Sequence, residues 1–311
     1  MSGTTTGTGE GTTGRRPGEG ADPEGGAARG RPSPPAHGGV RQALGDGWTI
    51  ARRNLIRIKR VPDLLVGSIV SPIMFVLLFA YVFGGAISLP GADGSAPDPA
   101  AYREYLIAGI FAQTVIFGAT ITGSGMAQDL KTGIIDRFRS LPMAPSAVLV
   151  GRTTADVVNN VLTVVIMTLT GLVVGWRINT SVGEALLGYV VLLFFAYCVS
   201  WIMAYIGLLV RTPEVFNNVT FIVIFPLTFI ANTFVPIESF PTGLRQFAEW
   251  NPVSSVTQAA RELFGNLQAG VSTPEAWPLQ NPVLYTVLWG VVLLVVFVPL
   301  TVRQYQRAAA R

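Results

Sequence analysis

The sequence of 311 residues contains little of the chemistry that most enzymes use. It has one cysteine and one histidine, which excludes a disulfide framework, a cysteine-based zinc site and a conventional histidine-dependent triad. Only 13% of the residues are charged, about half of what a soluble domain carries, whereas 50% are hydrophobic. This composition argues against a water-soluble globule and against disorder over the full length. No metal site is expected.

A phosphate-binding loop is also missing. Neither of the two lysines, Lys59 and Lys131, follows a glycine as the GxxxxGK pattern requires. We therefore expect that the chain is not an enzyme and holds no cofactor of its own. The single cysteine, Cys198, falls inside a predicted membrane span and is interpreted as a small packing residue.

Three zones follow one another along the chain. Residues 1–40 contain no Leu, Ile, Phe, Tyr or Trp and are predicted to form a disordered tail. In residues 41–62, apolar residues that include Trp48 recur at helical spacing on one side, and basic residues occupy the other side. This pattern predicts an amphipathic helix in the lipid headgroup layer, although a helix packed on a soluble domain is an alternative. Residues 63–311 are predicted to be the transmembrane domain.

Six stretches without a charged residue are long enough to cross a bilayer, which takes about 20 helical residues. They are 64–85, 105–127, 157–176, 185–210, 215–237 and 282–302. The predicted fold class is therefore all-α, a polytopic membrane protein with six transmembrane helices.

The distribution of basic residues predicts the orientation of these spans. Thirteen lysines and arginines near span ends fall on one side of the membrane and four fall on the other. Because the more basic side faces the cytoplasm, both termini are predicted to be cytoplasmic.

The predicted cytoplasmic loop 129–142 has features of a docking element. Ile134, Phe138 and Leu141 recur at helical spacing, with Arg137 and Arg139 beside them. A short helix that presents a phenylalanine among arginines is suited to binding a soluble partner. A helix that merely lies on the membrane is the alternative.

The predicted external segment 237–281 is apolar but too interrupted to span the membrane. It predicts re-entrant or interfacial helices, and a small extracellular cap is the alternative.

Three motifs carry a resemblance to a known family. They are GIIDRFRSLPM at 133–143, FPLTFIANTFVP at 225–236 and EWNPVS at 249–254. Over about residues 45–305 the chain resembles the membrane subunit of ABC-2 type exporters, and most closely the daunorubicin-resistance (DrrB-like) drug permeases.

The resemblance implies a permease homodimer in a bacterial plasma membrane that binds cytosolic ATPase subunits, with ATP and magnesium on those partners. It implies export of an amphipathic small molecule, drug-like or lipid-like, and no nucleic-acid partner. Residues expected to couple to the ATPase are Gly133, Ile134, Asp136, Arg137, Phe138, Arg139 and Leu141. Residues expected along the substrate pathway are Phe111, Gln113, Phe117, Thr120, Phe221, Phe225, Thr228, Phe229 and Asn232. A membrane scaffold that binds a cytosolic partner without transport is the alternative function.

Overall fold

The structure, a computed structural model, describes residues 3, 70, 73–83, 99–134, 145–267 and 275–308. The chain divides into two units, Met1–Pro35 and Ala36–Arg311, and all described residues except Gly3 belong to the second. The predicted tail, apart from Gly3, and the predicted amphipathic helix 41–62 therefore lie outside the described residues.

The described part of the chain is helical and contains no strand. Its eight α-helices are α1 (Pro99–Lys131), α2 (Pro145–Val174), α3 (Val182–Leu209), α4 (Pro213–Phe229), α5 (Thr242–Trp250), α6 (Pro252–Phe264), α7 (Trp277–Gln280) and α8 (Pro282–Ala308). Residues 73–77 are also α-helical and continue as a π-helix, Leu78–Phe83, and a single 3₁₀ turn covers Ile237–Ser239.

Four helices are long and apolar enough to cross a membrane, namely Tyr102–Lys131, Leu149–Val174, Val182–Leu209 and Pro282–Arg307. They confirm the second, third, fourth and sixth predicted spans, with shifted ends. Only residues 70 and 73–83 of the first predicted span are described. Together with its composition, these helices make the chain a helical membrane protein.

The fifth predicted span, 215–237, does not form one continuous helix. α4 has 17 residues, which corresponds to about 25 Å at 1.5 Å per residue, and ends at Phe229. Pro226 lies inside its last turn, where a ring without an N–H weakens the helical hydrogen bonding. The chain then turns through residues 230–236 before the 3₁₀ turn.

Local sequence signals account for several helix ends. α3 begins with a capping box in which Ser181 and Glu184 satisfy each other's backbone N–H groups. The side chain of Asn251 caps α6 by accepting a hydrogen bond from the N–H of Val253 at 2.9 Å. α6 ends at Phe264, and the capping residue Gly265 has a φ of 69°, a left-handed conformation that glycine adopts without strain.

The helix α3 lies at the centre of the bundle and packs against α1 on one side and α8 on the other. A tight crossing brings Gly207 of α3 against the backbone of Gly123 of α1. α6 inserts among α1, α3 and α8, and ten of its 13 residues are buried. Small residues at the crossing are what allow two membrane helices to approach this closely.

The glycine crossing provides the first prediction. Gly207→Ala places a methyl group into backbone atoms of Gly123, which cannot swing away as a side chain can. We expect a loss of about 1–3 kcal/mol in the free energy of unfolding, read as a lower unfolding temperature in detergent. Gly183→Ala is the matched control, because nothing lies within 4 Å of a Cβ atom at that position of the same helix. Equal unfolding temperatures for the two variants would show that the crossing is not tight.

Candidate functional site

A cavity of about 360 Å³ lies between α1, α2, α4 and the helical segment 73–83. Five phenylalanines form much of its wall, namely Phe75, Phe117, Phe221, Phe225 and Phe229. The remaining lining residues are Ile110, Gln113, Thr114, Gly118, Ile121, Asn159 and Thr163. Its volume is at the lower end of the range for ligand pockets, about 300–1,000 Å³.

A ladder of stacked phenylalanine rings runs along one wall of the cavity. Phe221, Phe225 and Phe229 recur every four residues on α4, so that they share one helix face, with ring centroids 4.9 Å and 4.1 Å apart. The ladder continues from Phe229 to Phe234 at 5.0 Å and from Phe234 to Phe79 at 4.5 Å. Stacked rings of this kind offer a flat apolar surface to a bound molecule.

The polar groups of the cavity are all uncharged. Gln113 and Thr114 come from α1, whereas Asn159 and Thr163 come from α2 at a spacing of four residues. None of the lining residues is charged. An apolar wall with a few neutral hydrogen-bonding groups suits an amphiphilic molecule with a large apolar part.

One side of the cavity is open at the surface of the described bundle. Phe221 is 56% exposed and Ile121 is 43% exposed, although both line the cavity. On the same stripe of α4, one turn before Phe221, the amide side chain of Asn217 is also exposed. Because a polar amide is unfavourable against lipid tails, this face suits contact with protein or water.

The structure gathers five of the nine predicted pathway residues around the cavity, namely Gln113, Phe117, Phe221, Phe225 and Phe229. The other four do not line it. Phe111 is fully buried against Trp176, Tyr189 and Phe264, with the nearest of these ring centroids at 5.4 Å.

The remaining three polar pathway predictions have other partners. The hydroxyl of Thr120 donates to the carbonyl of Phe117 at 2.7 Å, and the hydroxyl of Thr228 donates to the carbonyl of Ile224 at 2.9 Å. Asn232 is 3% exposed, and its N–H donates to the Ser254 hydroxyl at 3.2 Å.

Sequence reasoning missed the contribution of α2 to the cavity. Asn159 and Thr163 are polar residues at helical spacing inside an apolar span, and this signal was available in the sequence. No signal in the sequence indicated that Phe75 would line the cavity, because its position depends on how the segment 73–83 packs against α1.

A buried arginine holds the turn that carries Phe234 of the ladder. Arg261 of α6 is 1% exposed, and its guanidinium donates to the carbonyls of Tyr105 at 3.0 Å, Asn232 at 2.5 Å and Thr233 at 3.2 Å. It also lies 3.5 Å from the centroid of the Tyr105 ring. The guanidinium therefore ties the chain beyond α4 to α1 through backbone carbonyls and a cation–π contact.

The opposite end of α1 and α2 carries a cluster of charged side chains. The spacing of four residues between Arg152 and Asp156 predicts an ion pair just before the third span, but the structure pairs Arg152 with Asp129 of α1. Asp156 instead accepts a hydrogen bond from Thr122. Both contacts join α2 to α1. The Arg152 guanidinium fits against α1 because Gly125 has no Cβ atom, which would otherwise occupy the same space.

A second ion pair at the same end of α1 is exposed. Lys131 and Glu214 lie 3.3 Å apart, with side chains 47% and 70% exposed. A backbone hydrogen bond at the start of α4, with further hydrogen bonds from Thr212 and Lys131, lowers the pKa of Glu214. Of the predicted coupling residues, the structure describes Gly133 and Ile134, which lie two and three residues after the end of α1; Gly133 has a φ of 67°. The other predicted coupling residues, Asp136, Arg137, Phe138, Arg139 and Leu141, lie outside the described residues.

Among the residues that the structure describes, no three His, Cys, Asp or Glu side chains gather in a group that could hold a metal ion. The described site is therefore an apolar cavity between membrane helices, with a buried arginine at one end and ion pairs at the other. This arrangement is typical of a protein that moves or binds a molecule within the membrane.

Comparison with known proteins identifies the class. Residues 46–264 match the family model described as ABC-2 type transporter. The chain belongs to the ABC-2 type transporter family and is a permease subunit. A transporter of this family works with an ATPase, so this chain has an ATPase partner.

Several curated proteins are similar to this chain. It is 31% identical over 258 residues to the "Daunorubicin resistance ABC transporter permease protein DrrB1" of Streptomyces coeruleorubidus, an alignment that covers 83% of this chain and 85% of that protein. It is 25% identical over 263 residues to the "Probable doxorubicin resistance ABC transporter permease protein DrrC" of Mycobacterium tuberculosis, which covers 83% and 87%. It is 23% identical over 219 residues to the "Putative transport permease ycf38" of Pyropia yezoensis, which covers 69% and 72%.

The two ion pairs near the C-terminal end of α1 provide a matched prediction. The side chains of Asp129 and Arg152 are only 13% and 15% exposed, so Asp129→Asn leaves a buried guanidinium without its counter-charge. We expect a loss of about 3 kcal/mol in the free energy of unfolding, measured by denaturation in mixed micelles. Glu214→Gln breaks the exposed pair at the same helix end and is expected to cause a much smaller loss. A loss that is the same for both variants would contradict this account of the buried pair.

Proposed function

We propose that this chain is the six-span membrane subunit of an ATP-driven exporter that moves a drug-like or lipid-like amphiphile out of the cell. The cavity with its phenylalanine ladder is the observation that carries the proposal. The names of two relatives, which are resistance permeases for daunorubicin and doxorubicin, support the substrate class. In this proposal both termini face the cytoplasm of a bacterial cell, and ATP and magnesium bind to the partner ATPase.

The open side of the cavity supports a dimer of permease subunits. We propose that a second copy covers the face of α4 that exposes Phe221 and Asn217, so that two ladders together line one pathway. A second copy would remove the Asn217 amide from lipid and close the cavity laterally. Rearrangement of the two copies, driven by ATP binding on the partner subunits, would then open the pathway to either side in turn.

We propose that the loop 129–142 transmits the motion of the ATPase to α1 and α2. The buried ion pair between Asp129 and Arg152 supports this proposal, because it joins the start of the loop to the helix that follows it. A push on the loop would then be carried by both helices, each of which also contributes to the cavity. The segment 237–281 is proposed to dip into the outer side of the membrane and to close the pathway there.

The phenylalanine ladder predicts a specific loss of binding. Phe225 stacks on both Phe221 and Phe229, so Phe225→Ala removes the middle ring of the ladder. We expect doxorubicin to bind the purified protein about tenfold more weakly, measured by the change in drug fluorescence. Ile222→Ala is the control, because Ile222 lies on the same helix, is 71% exposed and does not line the cavity. Unchanged affinity in Phe225→Ala, or equal losses in both variants, would contradict a ligand site on the ladder.

The proposed coupling loop predicts a second, separate effect. Phe138→Ala removes the largest apolar side chain of the loop, so we expect the cognate ATPase to co-purify less and to lose its stimulation by the permease. ATP hydrolysis by the reconstituted complex is the measurement. Phe247→Ala is the matched control, because Phe247 is a half-exposed phenylalanine of α5, on the proposed external side. Normal stimulation with Phe138→Ala would show that the loop is not the coupling element.

A further inference from the structure

A second cavity lies at the opposite end of the bundle from Arg261, where α1, α3 and α8 end. Its volume is about 300 Å³, and its lining includes two arginines, Arg211 and Arg307, and one amide, Gln304. The apolar part of the lining includes Leu130, Leu208 and Leu209. The cavity therefore combines two positive charges with an apolar floor, and it is separate from the aromatic cavity described above.

The two arginines of this basic cavity lack counter-charges within the described structure. Neither Arg211 nor Arg307 forms an ion pair with any residue that the structure describes. The nearby lysine, Lys131, is already paired with Glu214 at 3.3 Å. The cavity is thus left with a positive charge that an anion can neutralise.

The geometry of α8 holds its part of the cavity in place. Thr301 donates to the carbonyl of Trp201 at 3.2 Å, and Gln304 donates to the carbonyl of Leu208 at 3.5 Å. Tyr305 is 4% exposed and packs with Trp201 and Leu208. Because Gln304 and Arg307 are three residues apart, they lie on the same face of α8, and Arg307 is directed to the cavity that Gln304 borders.

The position of the cavity indicates the source of the anion. It lies where three apolar helices reach their polar ends, which is the depth of the lipid headgroups. Basic pockets between membrane helices at this depth bind the head groups of anionic lipids. The exposed side chain of Leu209, at 53%, extends the apolar floor toward the bilayer.

We propose that the basic cavity formed by Arg211, Gln304 and Arg307 binds the phosphate of an anionic phospholipid, with the apolar floor in contact with its glycerol and acyl carbons. A lipid bound there touches α1, α3 and α8 together, and α1 leads into the loop 129–142. The bound lipid therefore stabilises one arrangement of the three helix ends, independently of any exported substrate.

The test uses the full-length protein in mixed micelles and native mass spectrometry, with dioctanoyl phosphatidylglycerol as the probe. The Arg211→Gln/Arg307→Gln double variant is expected to bind this lipid about 30-fold more weakly than the wild type. The Arg211→Lys/Arg307→Lys double variant keeps both charges and is expected to retain most of the affinity. Equal unfolding temperatures for the glutamine variant and the wild type show that the loss of binding does not come from misfolding.

Arg303→Gln is the matched control. Arg303 is exposed on the same last turns of α8 but does not line the cavity, so its removal changes the net charge and the helix-end electrostatics without changing the site. A loss with Arg303→Gln as large as with the cavity variants would overturn the proposal in favour of general surface attraction. Equal binding of dioctanoyl phosphatidylcholine would overturn the requirement for an anionic lipid, and equally tight binding of glycerol 3-phosphate would assign the site to a soluble phosphate ester instead.

Discussion

The early end of α4, at Phe229 inside the bundle, is the constraint on which much of this structure depends. A helix of 17 residues that ends inside an apolar bundle exposes carbonyl groups that neither water nor the helix itself can satisfy. Asn251 donates to the carbonyls of Leu227 at 2.7 Å and Ile230 at 3.1 Å, and Arg261 donates to those of residues 232 and 233. Tyr105 of α1 donates to the carbonyl of Asn232 at 3.0 Å. The charged guanidinium can be buried here because these backbone carbonyls and that of Tyr105 accept its hydrogen bonds.

This solution also determines the shape of the aromatic cavity. Hydrogen bonds hold the turn after Phe229 against α1. This places the ring of Phe234 next to the rings of Phe229 and Phe79. The ladder therefore bridges two segments that are far apart in sequence, and the buried guanidinium of Arg261 binds the turn just before Phe234. At the C-terminal end of α1, Asp129 pairs with Arg152 of α2, so α1 is joined near each of its ends to another segment that borders the cavity. Motion at either end is expected to change the cavity between them.

Charge-free stretches in the sequence predicted four of the long apolar helices, because length and the absence of charge are local properties. It could not predict that α4 ends early, since Pro226 and the turn at 230–236 are tolerated only where other segments supply hydrogen bonds. Three of the five cavity phenylalanines share one face of α4, and this spacing was readable in the sequence. The ion-pair partner of Arg152 could not be predicted from the sequence. Asp156 is close to it in sequence, whereas Asp129 becomes close only when α1 and α2 pack.

The most direct test of the account is ATP-dependent transport in inverted membrane vesicles that contain this chain and its cognate ATPase. Doxorubicin is the probe, and its accumulation inside the vesicles is followed by fluorescence quenching. The account predicts accumulation that requires ATP, magnesium and this chain together, and that declines when a second amphiphile competes. Vesicles in which the ATPase is bound and hydrolyses ATP, but in which neither doxorubicin nor a fluorescent phospholipid moves, would contradict the claim that this cavity belongs to an export pathway for amphiphiles.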